Sequence, residues 1–79
     1  MEIKVLGAGC ASCKKLYEIT LEAVRKLGIV ANVVYVTDLE QIMQSGIIRM
    51  PGLIVDGKVK SMGRVPKIKE VKQIISDEI

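Results

Sequence analysis

Cys10 and Cys13 are the two cysteines of this sequence, and they stand in the spacing C-x-x-C. Two thiols at this spacing can be oxidised to a disulfide and reduced again, and the thiolate is the attacking species in such an exchange. In a reducing compartment a pair of this kind is typical of redox chemistry rather than of a disulfide that holds a fold together. The pattern therefore predicts a redox-active pair.

The predicted position of the pair, between a first strand and a first helix, favours a reactive thiolate. Free N–H groups and the positive end of the dipole at a helix N-terminus stabilise an anion. They can lower the pKa of a cysteine from ~8.5 to roughly 3.5–7.5. Lys14 and Lys15 add positive charge nearby, and Lys14 is the predicted electrostatic helper. We expect Cys10 to be the exposed nucleophile that forms a mixed disulfide with the substrate, and Cys13 to be the inward-facing thiol that resolves it.

Two other interpretations of these cysteines compete with the redox one. They could be small buried apolar residues, although a turn flanked by glycines is a poor place for inert burial. They could be half of a zinc site, but the chain has no histidine and no third cysteine, so such a site would have to be shared between two chains. The redox interpretation is favoured, and it predicts neither a cofactor nor a resident metal.

Length and composition limit the class of protein. The 79 residues predict a single domain over 1–79. With 49% hydrophobic and 27% charged residues, disordered, collagen-like and coiled-coil chains are excluded. A net charge of +3, with two tyrosines as the only aromatic residues, gives little support for nucleic-acid binding. No segment approaches the ~18–20 apolar residues of a membrane span, and no signal peptide is visible. We therefore expect a cytoplasmic protein that binds neither nucleic acid nor membranes.

The first half of the chain predicts a βαβ unit. Residues 2–6 form an apolar-rich first strand, and residues 11–27 have the apolar spacing of a helix. Gly28 is suited to the position just after the end of that helix. The β-branched run 29–36 predicts a buried second strand. Because the helix separates the two strands, they should be parallel, with a right-handed crossover.

The second half predicts a short helix, a hairpin and a last helix. The short helix covers 38–45, and strands at 52–55 and 58–62 flank Asp56-Gly57, which is the strongest short hairpin signal available. Pro66 suits the first position of a last helix over 66–76, and the tail after that helix is expected to be loosely held. The predicted element order is β-α-β-α-β-β-α.

This sequence resembles the thioredoxin/glutaredoxin superfamily, and more closely the small thioredoxins of archaea and bacteria that are called redox-active disulfide proteins. The resemblance covers essentially the whole chain. It rests on the element order and on three segments: Gly7-Ala8-Gly9-Cys10-Ala11-Ser12-Cys13, Met50-Pro51-Gly52-Leu53 before the hairpin, and Met62-Gly63-Arg64-Val65. It implies a minimal thioredoxin-like α/β fold with a four-stranded mixed sheet, helices 11–27 and 66–76 on one face and helix 38–45 on the other.

The resemblance also implies a site and partners. Pro51 should be cis and pack beside the disulfide, and the backbone of Met50 should pair with an extended substrate segment. Ala11 and Ser12, between the cysteines, are further predicted substrate contacts. The implied function is reduction of disulfides in proteins by a monomeric thiol-disulfide oxidoreductase that an upstream thiol reductase keeps reduced. The sequence leaves open whether that donor depends on pyridine nucleotide, ferredoxin or glutathione.

The chain departs from the family pattern in ways that matter for mechanism. The thioredoxin motif W-C-G-P-C is absent, and no aromatic residue precedes Cys10. The buried acid that larger thioredoxins carry on the strand before the motif has no evident match, since Lys4 stands near that place, so the proton acceptor for Cys13 is open. The glycine pair and acid by which glutaredoxins bind glutathione are replaced by Gly63-Arg64-Val65, so glutathione binding is not predicted.

A rival resemblance is to the heavy-metal-associated domain, whose G-M-x-C-x-x-C loop carries copper. Ala8 stands in place of its methionine, and two thiolates without histidine suit Cu(I). That fold has the order β-α-β-β-α-β and ends on a strand, whereas this chain has a predicted helix before its hairpin and ends on a helix. The order favours the thioredoxin interpretation. A binding module without catalysis is a third interpretation, and nothing in the sequence positively supports it.

Overall fold

The computed structural model describes residues 1–79 and contains four strands and three helices. In chain order these are β1 (Glu2–Leu6), α1 (Ala11–Leu27), β2 (Asn32–Val36), α2 (Leu39–Gln44), β3 (Gly52–Val55), β4 (Lys58–Met62) and α3 (Ile68–Ser76). The strands form one sheet in the order β2-β1-β3-β4. β1 is parallel to β2 and antiparallel to β3, and β3 is antiparallel to β4. The mixed four-stranded sheet confirms the predicted fold class.

The two faces of the sheet carry two separate apolar clusters. Successive strand residues point to opposite faces, so Ile3 and Val5 lie in one cluster and Leu6 in the other. The larger cluster joins the sheet to α1 and α3: Ile3, Val5, Leu16, Ala23, Leu53, Val55, Val71 and Ile75. The smaller cluster joins it to α2 and the segment after α2: Leu6, Val36, Ile42, Ile47 and Ile54. The helices therefore occupy the faces that the resemblance implied.

Local signals in the sequence determine the ends of α1 and the hairpin. Gly28 adopts the left-handed conformation (φ 66°) and its N–H donates to the Arg25 carbonyl at 3.2 Å, which ends α1. Asp56 (φ 48°) and Gly57 (φ 82°) are both left-handed, as a two-residue turn between antiparallel strands requires. A ring stack between Tyr17 and Tyr35, with centroids 4.9 Å apart, packs α1 against β2.

Three predicted boundaries were wrong. The second strand begins at Asn32 rather than at residue 29, and Val30 is 96% exposed. β2 is also an edge strand and not a buried one, since it pairs only with β1. The last helix begins at Ile68, with Lys67 as N-cap, so the buried Pro66 precedes the helix instead of opening it. The short helix spans 39–44 and not 38–45, because Asp38 is its N-cap.

The tail that was expected to be loosely held carries an ion-pair cluster. Glu78 contacts Lys58 at 3.0 Å and Lys60 at 2.8 Å, and its N–H donates to the Ile75 carbonyl. These contacts attach the segment after α3 to the edge strand β4. None of the three helices has the length and apolar character needed to cross a membrane.

Candidate active site

Cys10 and Cys13 are joined by a disulfide, with their Cα atoms 5.1 Å apart. Cys10 is exposed and Cys13 is completely buried. The structure is thus the oxidised form of a dithiol pair, in which one cysteine is exposed and the other is buried. The exposed cysteine is the one that the sequence predicts to be the nucleophile.

Cys10 is the N-cap residue of α1. Its backbone is extended (φ −70°, ψ 163°), and its carbonyl accepts from the Lys14 N–H at 3.1 Å, as the first helical bond requires. Its Sγ accepts from the Cys13 N–H at 3.2 Å, so the sulfur occupies the position that a serine or aspartate oxygen usually takes at an N-cap. After reduction, the same N–H group and the positive end of the α1 dipole would stabilise a thiolate at Cys10 over the thiol.

Gly7 makes room for the buried sulfur. A Cβ at this position would lie 2.6 Å from the Cys13 Cβ and would overlap its Sγ. The Gly7 N–H also donates to the Val36 carbonyl at 2.9 Å, which extends the pairing of β1 with β2 by one bond. The absence of a side chain at Gly7 therefore allows α1 to start close against the end of the sheet, with Cys13 inside.

The Met50-Pro51 peptide bond is cis, as the resemblance implied. Pro51 is buried, while Met50 is 41% exposed, and its Sδ accepts from the Ala8 N–H at 3.2 Å. Ala8 lies two residues before Cys10, so this contact joins the segment before β3 to the loop that carries the disulfide. The structure thus brings Met50 and the cysteine loop together.

Gly63, in the turn after β4, contacts both Pro51 and Arg49. Its N–H donates to the Pro51 carbonyl at 3.0 Å, and its φ of 75° is in the left-handed region. A Cβ there would lie 3.0 Å from the Cβ and Cδ of Arg49, so the Arg49 side chain runs past this glycine. Three separate segments of the chain therefore meet at one end of the sheet: the cysteine loop, the turn before β3 and the turn after β4.

The other predicted site residues are exposed around the disulfide. Ala11 and Ser12 are the first two residues of α1, and Lys14 follows in the same turn; all three are exposed. Lys4, which stands where larger relatives have a buried acid, pairs with Glu2 at 3.7 Å. Because its neighbours Ile3 and Val5 face α1, Lys4 points to the opposite face of the sheet.

Sequence reasoning assigned no role in the site to Gly7, the Ala8 N–H or Gly63. The signal for the first two was the segment Gly7-Ala8-Gly9 directly before Cys10, which was interpreted as the break after the first strand and as part of the family motif. The signal for Gly63 was a glycine directly after a predicted strand. Neither signal shows which side chain the absent Cβ would overlap, because that depends on packing between distant segments.

An apolar depression lies on the other side of Met50. It is lined by side chains of α2 and the segment that follows it: Leu39, Ile42, Met43, Ile47, Ile48 and Met50. Met43 is 77% exposed and Ile48 is 85% exposed. Met50 therefore belongs both to this apolar depression and to the contact with the loop that carries the disulfide.

Comparison with known proteins gives consistent matches. The family model described as a thioredoxin domain matches residues 1–76. The chain is 43% identical over 76 residues to a thioredoxin of Methanothermobacter thermautotrophicus, covering 96% of this chain and 99% of the relative. It is 35% identical over 71 residues to a thioredoxin of Methanocaldococcus jannaschii, covering 90% of this chain and 81% of the relative. None of these matches supports the copper-carrier interpretation, and α2 lies between β2 and β3, where the order β-α-β-β-α-β of such a carrier has no helix.

Proposed function

The chain belongs to the thioredoxin family and is a thiol-disulfide oxidoreductase with a redox-active Cys10–Cys13 pair, and we propose that it reduces disulfides in proteins. The observation that carries the proposal is the asymmetry of the pair: Cys10 is exposed at the N-cap of α1, and Cys13 is fully buried one turn later.

The first step is attack by the reduced form on the target. The Cys10 thiolate attacks one sulfur of a target disulfide, which forms a Cys10–target disulfide and breaks the target's own S–S bond. The second target sulfur leaves as a thiolate and takes a proton from solvent. The Cys13 N–H, 3.2 Å from the Cys10 Sγ in the oxidised form, favours the thiolate that begins this step.

The second step releases the target. The Cys13 thiol loses its proton and attacks the Cys10 Sγ, which re-forms the Cys10–Cys13 disulfide and expels the first target sulfur as a thiolate. Two electrons have then moved from the dithiol to the target. Cys13 needs no large movement, because the helix already holds the two Cα atoms 5.1 Å apart.

The target segment would lie across the exposed residues around Cys10. Met50 offers backbone groups immediately before the buried Pro51, and an extended segment can pair with such groups as an added strand. Ala11 and Ser12 would contact the same segment from the N-terminus of α1. Lys14 would add positive charge beside the thiolate.

We also propose the partners and the compartment. Each turnover leaves the Cys10–Cys13 disulfide, so an upstream thiol reductase must return two electrons before the next one. A dithiol couple that donates electrons needs a reducing compartment, so we place the protein in the cytoplasm. We expect the single domain to work as a monomer without cofactor.

A trapping experiment tests the proposal. Cys13→Ser should accumulate a mixed disulfide with a protein substrate such as insulin, because the resolving step is blocked, whereas Cys10→Ser should form none. The wild type should turn insulin disulfides over with dithiothreitol as donor, and neither variant should. Equal trapping by both variants would overturn the assigned roles. Tight Cu(I) binding by a wild type that does not reduce insulin would overturn the function.

A further inference from the structure

Three exposed cations without an ion-pair partner lie on the segments that meet at the disulfide end of the sheet. Lys14 and Lys15 are in the first turns of α1, directly after Cys13. Arg49 precedes Met50, whose Sδ contacts the cysteine loop, and the Arg49 side chain runs past Gly63. None of the three has a carboxylate within 4.0 Å, whereas the ion pairs of the molecule involve Lys4, Arg25, Lys58, Lys60 and Arg64. We call Lys14, Lys15 and Arg49 the cationic rim.

Two carboxylates of neighbouring segments have other partners, whereas Glu18 of α1 and Glu40 of α2 form no ion pair. Glu70 in the first turn of α3 is paired with Arg64. The Asp38 Oδ1 accepts from the Glu40 N–H at 3.1 Å, as the N-cap of α2. The hydrogen bonds and charge of Arg64 hold the pKa of Glu70 below its ordinary value, so that pair stays ionised and compensated. No ion pair within the molecule engages Lys14, Lys15 or Arg49, so their charged groups remain free to contact a segment that approaches the disulfide.

Charges without an ion-pair partner beside a reacting group change the rate at which a charged partner associates. Complementary potentials can raise association rates by about 10–10³, and the effect falls as salt shortens the Debye length from ~10 Å at 0.1 M to ~3 Å at 1 M. Like charges on a partner are disfavoured in the same way. Cations around the disulfide thus discriminate between substrates by the charges that flank the substrate's own disulfide.

We propose that the cationic rim makes protein segments with acidic residues next to the disulfide the preferred substrates of this oxidoreductase. The inference rests on the proposed function, since it concerns how the same site chooses its targets. It adds a substrate class, disulfides flanked by aspartate or glutamate, that the two cysteines alone do not specify.

The test uses three synthetic peptides of equal length, each with one disulfide flanked by aspartates, by serines or by lysines. The measurement is the second-order rate constant for oxidation of the pre-reduced protein, followed by alkylation of free thiols. At ~20 mM ionic strength we expect the aspartate peptide to react about 5–30-fold faster than the serine peptide, and the lysine peptide to react more slowly than both. At ~1 M salt the three rates should converge.

A pair of matched variants separates the rim from net charge. Lys15→Gln with Arg49→Gln removes two of the three rim charges and should lower the aspartate-to-serine rate ratio toward one. Lys26→Gln with Lys72→Gln removes the same charge from unpaired positions in the last turn of α1 and in α3, and should keep the ratio of the wild type. Lys14 is left unchanged because it adjoins the proposed nucleophile.

The outcomes distinguish this inference from the proposed function. A wild type that reduces the serine peptide but shows no preference for the aspartate peptide at low salt overturns the inference alone. So does an equal fall of the ratio in both double variants, which would assign the preference to net charge. A wild type that reduces none of the three peptides overturns the proposed function itself.

Discussion

At the end of the sheet where β1 leads into α1, the site end, Lys14, Lys15 and Arg49 have no ion-pair partner, whereas at the opposite end, the hairpin end, charged groups of β1, the hairpin and the tail contact one another. At the hairpin end the Glu2 N–H donates to the Asp56 Oδ1 at 2.7 Å, and the Asp56 N–H donates back to the Glu2 carbonyl at 2.7 Å. Lys58 and Lys60 both contact Glu78. At the site end the contacts between segments are made by backbone groups and sulfur atoms, with the Arg64–Glu70 pair at its margin.

The difference separates charged groups that stabilise the fold from groups that remain available to contact a substrate. The charged groups of β1, the hairpin and the tail have internal partners at the hairpin end, so these contacts contribute to keeping β3, β4 and the tail together. At the site end glycines bring the chain segments close, which leaves side chains such as Met50 and Arg49 at the surface. The comparison predicts that changes at the site end affect activity beyond their effect on stability, and that changes at the hairpin end affect stability alone.

The largest effect should come from Gly7→Ala. The added methyl group would lie 2.6 Å from the Cys13 Cβ, so either α1 or the cysteine must shift. Overpacking of this kind costs about 1–3 kcal/mol of the free energy of unfolding. Displacement of the resolving sulfur by about 1 Å should lower the rate of disulfide reduction by roughly 10–100-fold. Urea unfolding and insulin turnover measure the two effects.

Gly57→Ala is the matched change at the hairpin end. Gly57 has a φ of 82° but no atom within 4 Å of an added Cβ, so the cost is conformational, about 1–2 kcal/mol. Insulin turnover should stay at the wild-type rate. If Gly57→Ala lost as much activity as Gly7→Ala at temperatures where both are folded, the contrast between the two ends would be wrong.

Much of the fold was predictable because its signals are local. The helical spacing of residues 11–27, the glycine after that helix and the Asp56-Gly57 turn each act within a few residues, and all three were predicted correctly. The wrong boundaries depend on tertiary context. Residues 29–31 have the β-branched character of a strand, but β1 offers pairing partners only from Asn32 onward. Pro66 suits a helix start, yet it is buried before the helix begins.

The features of the site also divide into those that local sequence predicts and those that depend on packing between distant segments. The cysteine spacing and the placement of Cys10 at a helix start were readable from adjacent residues, and the cis bond before Pro51 came from family resemblance. The room that Gly7 makes for Cys13 and the contact between the Ala8 N–H and Met50 could not be read, because each joins segments whose distance in space the sequence does not state. The unpaired state of Arg49 also depends on where every carboxylate finally lies.

A smaller effect, on activity alone, is expected for Met50→Ala. Met50 and Val59 are almost equally exposed, at 41% and 42%. Met50 lies at the site end, whereas Val59 lies in the edge strand β4. Truncation of either exposed side chain should cost less than ~1 kcal/mol of stability. Only Met50→Ala should lower kcat/KM for insulin, by about 3–10-fold, because it removes an apolar contact with the substrate segment that is proposed to lie across the residues around Cys10.

Val59→Ala is the control for that comparison and should leave kcat/KM unchanged. Separate measurement of kcat/KM for a protein substrate and for a small neutral disulfide sharpens the result. The Met50 variant should have a lower kcat/KM mainly with the protein substrate, because a small disulfide does not extend from Cys10 to the Met50 side chain. Equal impairment with both substrates would show that Met50 acts on the cysteine loop through the Ala8 N–H and not on the substrate.

The smallest effect should come from Glu78→Gln, and it should depend on pH. Hydrogen bonds from Lys60 and Lys58 lower the pKa of Glu78 below its ordinary value of 4.5. A carboxyl whose pKa is lowered in the folded state contributes stability that is present above the unfolded value and is lost as pH falls through the folded value. The wild type should therefore be more stable than the variant above pH 4.5, and the difference should decline below it.

Urea unfolding of both proteins between pH 3 and 7 measures this difference, and addition of ~1 M salt at pH 7 should reduce it because the Lys58 side chain of the cluster is 66% exposed. A double-mutant cycle with Lys60→Gln isolates the contribution of that one contact. Insulin turnover should be the same in all of these variants, since Glu78 lies at the hairpin end. A stability difference that grows as the pH falls would show that the carboxylate is not stabilised by the two lysines in the folded chain. A loss of turnover without loss of stability would show that the two ends of the sheet are coupled.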